Sequence, residues 1–277
     1  MKVAVIGAVS KDIYVLLDKF PEKDSLVFAK EKRCFLGGSG ANVALNLSIN
    51  SKVDFYFGTG NDATSSYILD KLSKVNNLNP IYSLEEGPGA VTMVLIDSEA
   101  ERRIISFGGV ALFSGKIENA EYDALCIVES YDKIALEVIE RFKVPLKVYM
   151  PGAFGLYYHK LEGIVSISKA VDFIIFSESE AAMLKEGLDK ISTNIIITRG
   201  SKDTLLIDKT GKKYYFKVPN VLSKIIDTTG AGDAFCAGFI EGYLKTGEIG
   251  DSVESAHQNA SMVITRLGPN LVEAKEV

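Results

Sequence analysis

Apolar residues in this chain gather into short unbroken runs, and most of these runs are followed by a stretch with helical spacing. The opening run, residues 2–7 (Lys-Val-Ala-Val-Ile-Gly), is one, and residues 53–57, 124–128, 146–150, 173–176 and 195–198 repeat the type. Runs this short and this apolar fit strands covered on both faces, as in a parallel sheet. Residues 65–72 and 133–141 between them carry the amphipathic spacing of helices, and a late helix is expected over 251–266. The alternation predicts an α/β fold, a mainly parallel sheet sandwiched between helical layers. Two regions break the rhythm: residues 26–35, and the hairpin-like pair 91–96 and 102–107 joined by 97–101. Without room for crossover helices, they predict a small antiparallel flap beside the main sheet.

The chain has 277 residues, 47% of them hydrophobic, enough to bury a substantial core. With no internal repeat and no low-complexity linker, residues 1–277 are expected to form a single domain from which the flap is an excursion. Net charge is −5 with the charges scattered, which gives no basic footprint for nucleic acid. No run reaches the ~18 apolar residues of a membrane span, and the start reads as a strand rather than a signal peptide, so cytoplasmic placement without a membrane partner is expected. Cys34, Cys126 and Cys236 are far apart in sequence and lack metal-site spacing, which predicts neither a disulfide framework nor a zinc site. His159 and His257 show no partner arrangement and are expected at the surface or at helix caps.

The candidate chemistry concentrates at Asp227-Thr-Thr-Gly-Ala-Gly-Asp233, which runs into an apolar helical stretch. Gly230 and Gly232 allow close approach to the main chain, and the first amides of the following helix suit a phosphate. Asp233 at the mouth of such an anion cradle is placed to accept a proton from an attacking hydroxyl. Taken alone, Asp227 and Asp233 would equally serve as turn and N-cap residues. A second glycine-rich segment, Phe35-Leu-Gly-Gly-Ser-Gly-Ala-Asn-Val-Ala-Leu45, also leads from a strand-like stretch into a helix. It is not a dinucleotide fingerprint, because Gly38-x-Gly40 lacks the third glycine, and no P-loop pattern occurs in the chain. Asp12 follows the first strand near its C-terminal end, the edge at which open α/β sheets bind ligands.

Together these segments resemble the signatures of the ribokinase-like, or PfkB, family of carbohydrate kinases. Asp227 to Phe235 is similar to the family's second signature, Gly37 to Ala44 to its first, and Asp12 to the acidic residue that grips acceptor hydroxyls. The resemblance implies a ribokinase-like three-layer fold with a β-sheet lid at about 13–36 and 90–108. It also implies transfer of the ATP γ-phosphoryl group to a hydroxyl of a sugar or nucleoside. Asp233 would be the base, Gly230, Ala231 and Gly232 the anion cradle, and Asp12, Gly37, Gly38 and Asn42 the acceptor site. Ser177, Thr198, Gly200, Thr228 and Asn259 would meet ATP, and Glu180 would organise Mg2+ through water. Asp227 and Thr229 would be candidate ligands of a monovalent cation such as K+, although the chain ends soon after the last helix, where that loop continues in relatives. Lids of this kind pair between subunits, so a homodimer is implied.

The chain also departs from the family pattern. Ser177 stands where Asn is usual, Ser177 to Glu180 is also a capping box, and the Val148-Tyr-Met-Pro-Gly152 strand lacks the Asp of many relatives. Its Pro-Gly turn and the loop Phe107-Gly-Gly-Val-Ala-Leu112 resemble those of archaeal nucleoside kinases. A nucleoside acceptor is therefore expected ahead of free ribose. A catalytically silent sensor of sugars or nucleotides is the alternative within the fold; a dehydrogenase would need the fingerprint that Gly7 to Asp12 does not supply.

Overall fold

The computed structural model describes residues 1–99, 101–221 and 223–273, apart from the side chains of Lys185 and Glu186. The first half holds β1 (Lys2–Gly7), β2 (Ser10–Leu16), β3 (Glu31–Gly37), α1 (Ser39–Ser48), β4 (Lys52–Thr59), α2 (Ala63–Leu72), β5 (Leu78–Leu84), β6 (Val91–Ile96) and β7 (Arg102–Gly108). There follow β8 (Ala120–Glu121), β9 (Ala124–Val128), α3 (Asp132–Arg141), β10 (Phe142–Lys143), β11 (Leu146–Met150), α4 (Gly152–Tyr158), α5 (Lys160–Ser168), β12 (Phe173–Ser177) and α6 (Glu178–Leu184). The last part carries β13 (Asn194–Arg199), β14 (Lys202–Ile207), β15 (Lys213–Phe216), α7 (Ala231–Thr246) and α8 (Ile249–Ile264).

Among the described residues a nine-stranded sheet runs in the order β15-β14-β13-β12-β11-β9-β1-β4-β5. From β13 to β5 every pairing is parallel, and β14 and β15 add an antiparallel edge. Alternate residues of β1 feed two separate cores: Val3 and Val5 pack with Leu45, Phe239 and Val253 of α1, α7 and α8, while Ala4 and Ile6 pack with Ile134 and Ile164 of α3 and α5. The period of two along a strand thus produces the three layers. Both faces being covered explains why the sheet strands read as continuous apolar runs.

A separate four-stranded sheet, β3-β2-β6-β7, forms the flap. Its outer pairings are antiparallel as expected, but β2 and β6 run parallel, because the chain passes through α1 to β5 between them. The flap also begins at Ser10 rather than about residue 13, so Asp12 lies within strand β2 and not in a loop. Residues 26–29 form no strand. Of the hairpin turn 97–101, Ala100 lies outside the described residues, as do residues 274–277 of the expected C-terminal segment. No helix is long and apolar enough to cross a membrane among the described residues.

Candidate active site

The parallel register aligns the C-terminal ends of the central strands: Gly7 of β1 and Met150 of β11 both pair with Val128 of β9, and Ser177 of β12 pairs with Thr198 of β13. Residues that follow these ends therefore converge on one edge, and α1 and α7 point their N-termini at the same place. The first signature delivers Asn42 from the first turn of α1, and the second delivers Asp233 from the first turn of α7. Asn42 Nδ2 donates to Asp233 Oδ2 at 2.8 Å, both groups being buried. Burial pushes the Asp233 carboxyl up to about 7; the Asn42 amide opposes the shift, while the charges of Glu180 and Asp12 add to it. A carboxyl poised near neutrality suits a general base.

Gly230 precedes α7 with φ 76°, in the left-handed region, and a side chain there would strike the Pro269 carbonyl oxygen at 1.8 Å. No side chain caps α7; the Ala231 amide donates to the Thr228 carbonyl at 3.4 Å, and the amides of Gly232 and Asp233 in the first turn are the ones suited to an anion. Asp227 braces the loop before it. Its Oδ1 accepts from the Thr229 amide at 2.9 Å and hydroxyl at 2.7 Å, and its Oδ2 from the Gly268 amide at 3.3 Å. Arg102 of the flap donates to Thr229 Oγ1 at 2.9 Å and brings a guanidinium to the cradle's edge.

Asp12 is buried, and the Ser10 hydroxyl donates to its Oδ1 at 2.6 Å. Burial raises its pKa to about 6, opposed by Ser10 and reinforced by the charges of Glu273 and Asp227. Gly37 on β3 faces it so closely that an added Cβ would lie 2.0 Å from the carboxylate.

Two cavities open near the N-termini of α1 and α7, one reaching Gly38 and the other Ala231 and Gly232; Asp12, Gly37, Asn42 and Asp233 line neither of them. One, of about 710 Å3, reaches from Ser10 and Gly38 past Glu129 to Glu85, Tyr131, Phe154 and Tyr158. The other, of about 320 Å3, is lined by Thr198, Gly200, Thr228, Ala231 and Gly232, with Val221, Ile225, Phe235, His257 and Ala260 supplying a largely apolar wall. Thr198, Gly200 and Thr228 thus gather as the sequence reading places them. Asn259 does not join them, since its amide nitrogen lies toward Gly238 of α7. Ser177 and Glu180 form the capping box in full: the Ser177 amide donates to Glu180 Oε2 at 2.7 Å, and the Glu180 amide donates to Ser177 Oγ at 3.2 Å. Glu180 nevertheless contributes charge to the site, where it raises the pKa of both Asp233 and Glu129.

Other residues at the site were not anticipated from the sequence. Glu129 follows β9 directly with φ 49°, unusual for a residue with a side chain. Burial, then the charges of Asp233 and Glu180, push its carboxyl up to about 7. Its signal was positional, because an acidic residue just past a buried parallel strand stands at the ligand edge of the sheet. The histidine expectation is borne out for His159 only in its cap position, between α4 and α5, where it is nevertheless buried, and is overturned for His257, which is buried within α8. His159 lies 2.8 Å from the Tyr149 hydroxyl through Nδ1 and 2.6 Å from the Ser130 carbonyl oxygen through Nε2, and so ties α4 to the loop after β9. His257 lies in the smaller cavity with Nε2 2.9 Å from Thr204 Oγ1. Cys126 and Cys236, distant in sequence, have sulfurs 3.6 Å apart as buried free thiols. Among the described residues no cluster of His, Cys, Asp or Glu could by itself hold a metal ion.

An anion cradle at the head of α7 with a buried, near-neutral carboxyl in its first turn fits a phosphotransferase site with a hydroxyl acceptor. The pattern of the pfkB family of carbohydrate kinases matches residues 1–275, and the chain belongs to that family. It is 27% identical to a ribokinase of Lactococcus lactis subsp. lactis over 99% of this chain and 96% of that protein. It is 24% identical to a nucleoside kinase of Methanocaldococcus jannaschii over 88% of this chain and 84% of that one. The structure of Arabidopsis thaliana ribokinase complexed with ribose and ATP superposes with a TM-score of 0.74 at 21% identity, covering 96% of this chain and 93% of the other. The protein is thus an ATP-dependent kinase of the ribokinase family, acting on a sugar or a nucleoside.

Proposed function

We propose that the protein is a nucleoside kinase that transfers the γ-phosphoryl group of ATP to a primary hydroxyl of the nucleoside's ribose. The observation that carries this reading is the buried, near-neutral Asp233 carboxyl in the first turn of α7, beside the anion cradle and bonded to Asn42 of α1. ATP would lie in the apolar 320 Å3 cavity with its phosphates toward Gly230, Ala231 and Gly232. Asp12 and Asn42 would orient the ribose hydroxyls, and Asp233 would take the proton as the hydroxyl oxygen bonds to phosphorus and ADP leaves. The amides at the head of α7 would stabilise the negative charge on the group in transit, so positioning and electrostatics supply most of the rate.

Glu180, whose Oε2 is held by the Ser177 amide, would organise Mg2+ through water, since the ion prefers water, phosphate and few carboxylates. The ion would neutralise phosphate charge there. Asp227 accepts from the Thr229 and Gly268 donors and so shapes the cradle; with lone pairs remaining, it and Thr229 would be the residues to hold a monovalent cation such as K+.

The acceptor cavity favours a nucleoside over the family's other acceptors. Its volume of about 710 Å3 falls in the range of drug-sized ligands, roughly 300–1,000 Å3, and three aromatic side chains wall its outer half. Among its described lining residues the charged ones are Glu85 and Glu129, which repel a phosphorylated sugar. Incubation with Mg-ATP and a panel of nucleosides, ribose, deoxyribose and sugar phosphates, followed by ADP release, tests the reading. Turnover of nucleosides is expected, and turnover of ribose or a sugar phosphate alone would reject it.

The flap is assigned a homodimer contact. Ile104, Ile105 and Phe107 on its edge strand β7, with Leu26 and Phe28, are all more than a third exposed, an apolar surface that calls for a partner. Sedimentation of wild type against Phe107→Glu, dimer against monomer, is the check.

A further inference from the structure

Resting on the nucleoside reading, we infer that the outer half of the acceptor cavity is a base-recognition site in which Glu85 accepts paired N–H donors from a guanine-type base held against Tyr131, Phe154 and Tyr158. The aromatic rings are already assembled as a platform. Phe154 and Tyr158 stack with centroids 4.4 Å apart, and Tyr131 meets Phe154 edge-on at 6.2 Å. Tyr131 is 46% and Tyr158 64% exposed, so this apolar surface is left open in the cavity rather than spent on the core. A flat heterocycle would cover it, as bases stack on aromatic side chains elsewhere.

Glu85 lines the same cavity as this platform and is held firmly. Its backbone amide donates to the Thr59 carbonyl at 3.0 Å, and the Ser114 hydroxyl donates to its Oε1. Ser114 is itself fixed by its amide, which donates to Ser83 Oγ at 3.0 Å. Burial and then the Glu85 charge raise the pKa of Tyr131, which places the carboxylate within electrostatic reach of the ring. With one bond taken by Ser114, Glu85 keeps further lone pairs on both oxygens. A guanine edge offers two parallel donors, N1–H and N2–H, that match a carboxylate in the bidentate manner. Adenine and cytosine place an acceptor beside their amino group and would set a lone pair against the carboxylate. Uracil has a single N–H, and inosine keeps N1–H but lacks the amino group.

The test is kcat/KM for guanosine, inosine, adenosine, cytidine and uridine with wild type, Glu85→Gln and Glu85→Ala, each variant first checked by thermal melting and ATP titration. For wild type, guanosine is expected to exceed inosine by roughly ten- to a hundred-fold, the scale of a hydrogen bond to a charged group. Both variants should bring that ratio close to one. Titration of guanosine and inosine onto the enzyme without ATP should show the same order in Kd. A wild-type ratio near one, or a ratio that survives Glu85→Gln, would overturn the base assignment while nucleoside turnover still stood. Phosphorylation of ribose with no nucleoside turned over would overturn both.

Discussion

Asn42 and Asp233 lie 191 positions apart, and the 2.8 Å hydrogen bond between them joins the first turns of two helices into one site. Asn42 holds one carboxylate oxygen, and in the proposed reaction the carboxyl, also within reach of the Ser39 hydroxyl, would meet the acceptor hydroxyl. Asp233→Asn keeps an acceptor for the Asn42 amide but cannot take a proton. Turnover should fall by about 10²-fold or more, the scale of general base catalysis, while ATP affinity and melting temperature at acid pH stay close to wild type. Full activity in this variant, measured in a steady-state ADP assay, would remove Asp233 from its role.

The ionisation of that carboxyl sets a pH dependence. With Asp233 raised to about 7 and Glu129 also to about 7, kcat/KM should rise as pH passes upward through neutrality, with a limb that belongs to the coupled carboxyls rather than to one residue. Asn42 opposes the rise in Asp233, so Asn42→Ala should move the limb to higher pH in addition to weakening acceptor binding. A limb left in place would show that the amide does not act on Asp233.

Stability follows the opposite course. A carboxyl near 3.8 in the unfolded chain and about 7 in the folded protein binds its proton more tightly when folded, a contribution fully present below the unfolded value and lost as pH rises through the folded one. The ligand-free protein should therefore melt at lower temperature at about pH 8 than at about pH 5. Asp233→Asn should flatten that slope, with Asp12 and Glu129 supplying what remains. An unchanged slope, followed by calorimetry, would mean that Asp233 is ionised in the folded protein throughout.

The central strands and both signatures were legible in the sequence because their physics is local. A strand buried on both faces must be a continuous apolar run, and an anion cradle must have glycine where φ is positive, as at Gly230. Glu129 was not legible, because its importance comes from the β1–β9 pairing that carries it to the ligand edge. His257 was misplaced, and the burial of His159 at its cap position missed, for a related reason: their partners, Thr204 for one and Tyr149 and Ser130 for the other, come together only in three dimensions. Cys126 and Cys236 were likewise separate until β9 and α7 packed. The parallel β2–β6 pairing escaped because Ser10–Leu16 was not read as a strand, and a strand's direction relative to a partner 80 positions away, as Lys11 is from Val91, is set by the intervening chain.

Asn270 shows how far the site's support extends. It is fully buried, donates to the Leu36 carbonyl at 3.3 Å and toward Asn42 Oδ1 at 3.5 Å, and accepts from the Glu273 amide at 3.0 Å. With Asn270 donating to Oδ1, the Asn42 amide nitrogen is directed at Asp233. Asn270→Asp would set a carboxylate against two acceptor oxygens and should destabilise the protein by about 1–3 kcal/mol, the cost of a buried group without its partner. Because it also disturbs Asn42, it should shift the acid limb in the direction of Asn42→Ala. A change in melting alone, with the pH profile intact, would confine Asn270 to holding the chain's last turns.

Gly37→Ala separates acceptor binding from the rest of the machinery. The added methyl would lie 2.0 Å from the Asp12 carboxylate, and its three nearest neighbours are all atoms of that side chain. Asp12 can relieve the clash by rotating, but rotation breaks the 2.6 Å bond from Ser10 and swings the carboxylate out of line with the acceptor hydroxyls. The expected result is a raised KM for the acceptor with ATP affinity unchanged, because the nucleotide cavity is built from β13, α7 and α8 and shares no wall with Asp12. Ser10→Ala should move the acceptor KM the same way but less, since it removes the Asp12 partner without the clash. Equal loss of acceptor and ATP binding in Gly37→Ala would show instead that the methyl displaces β3 as a whole.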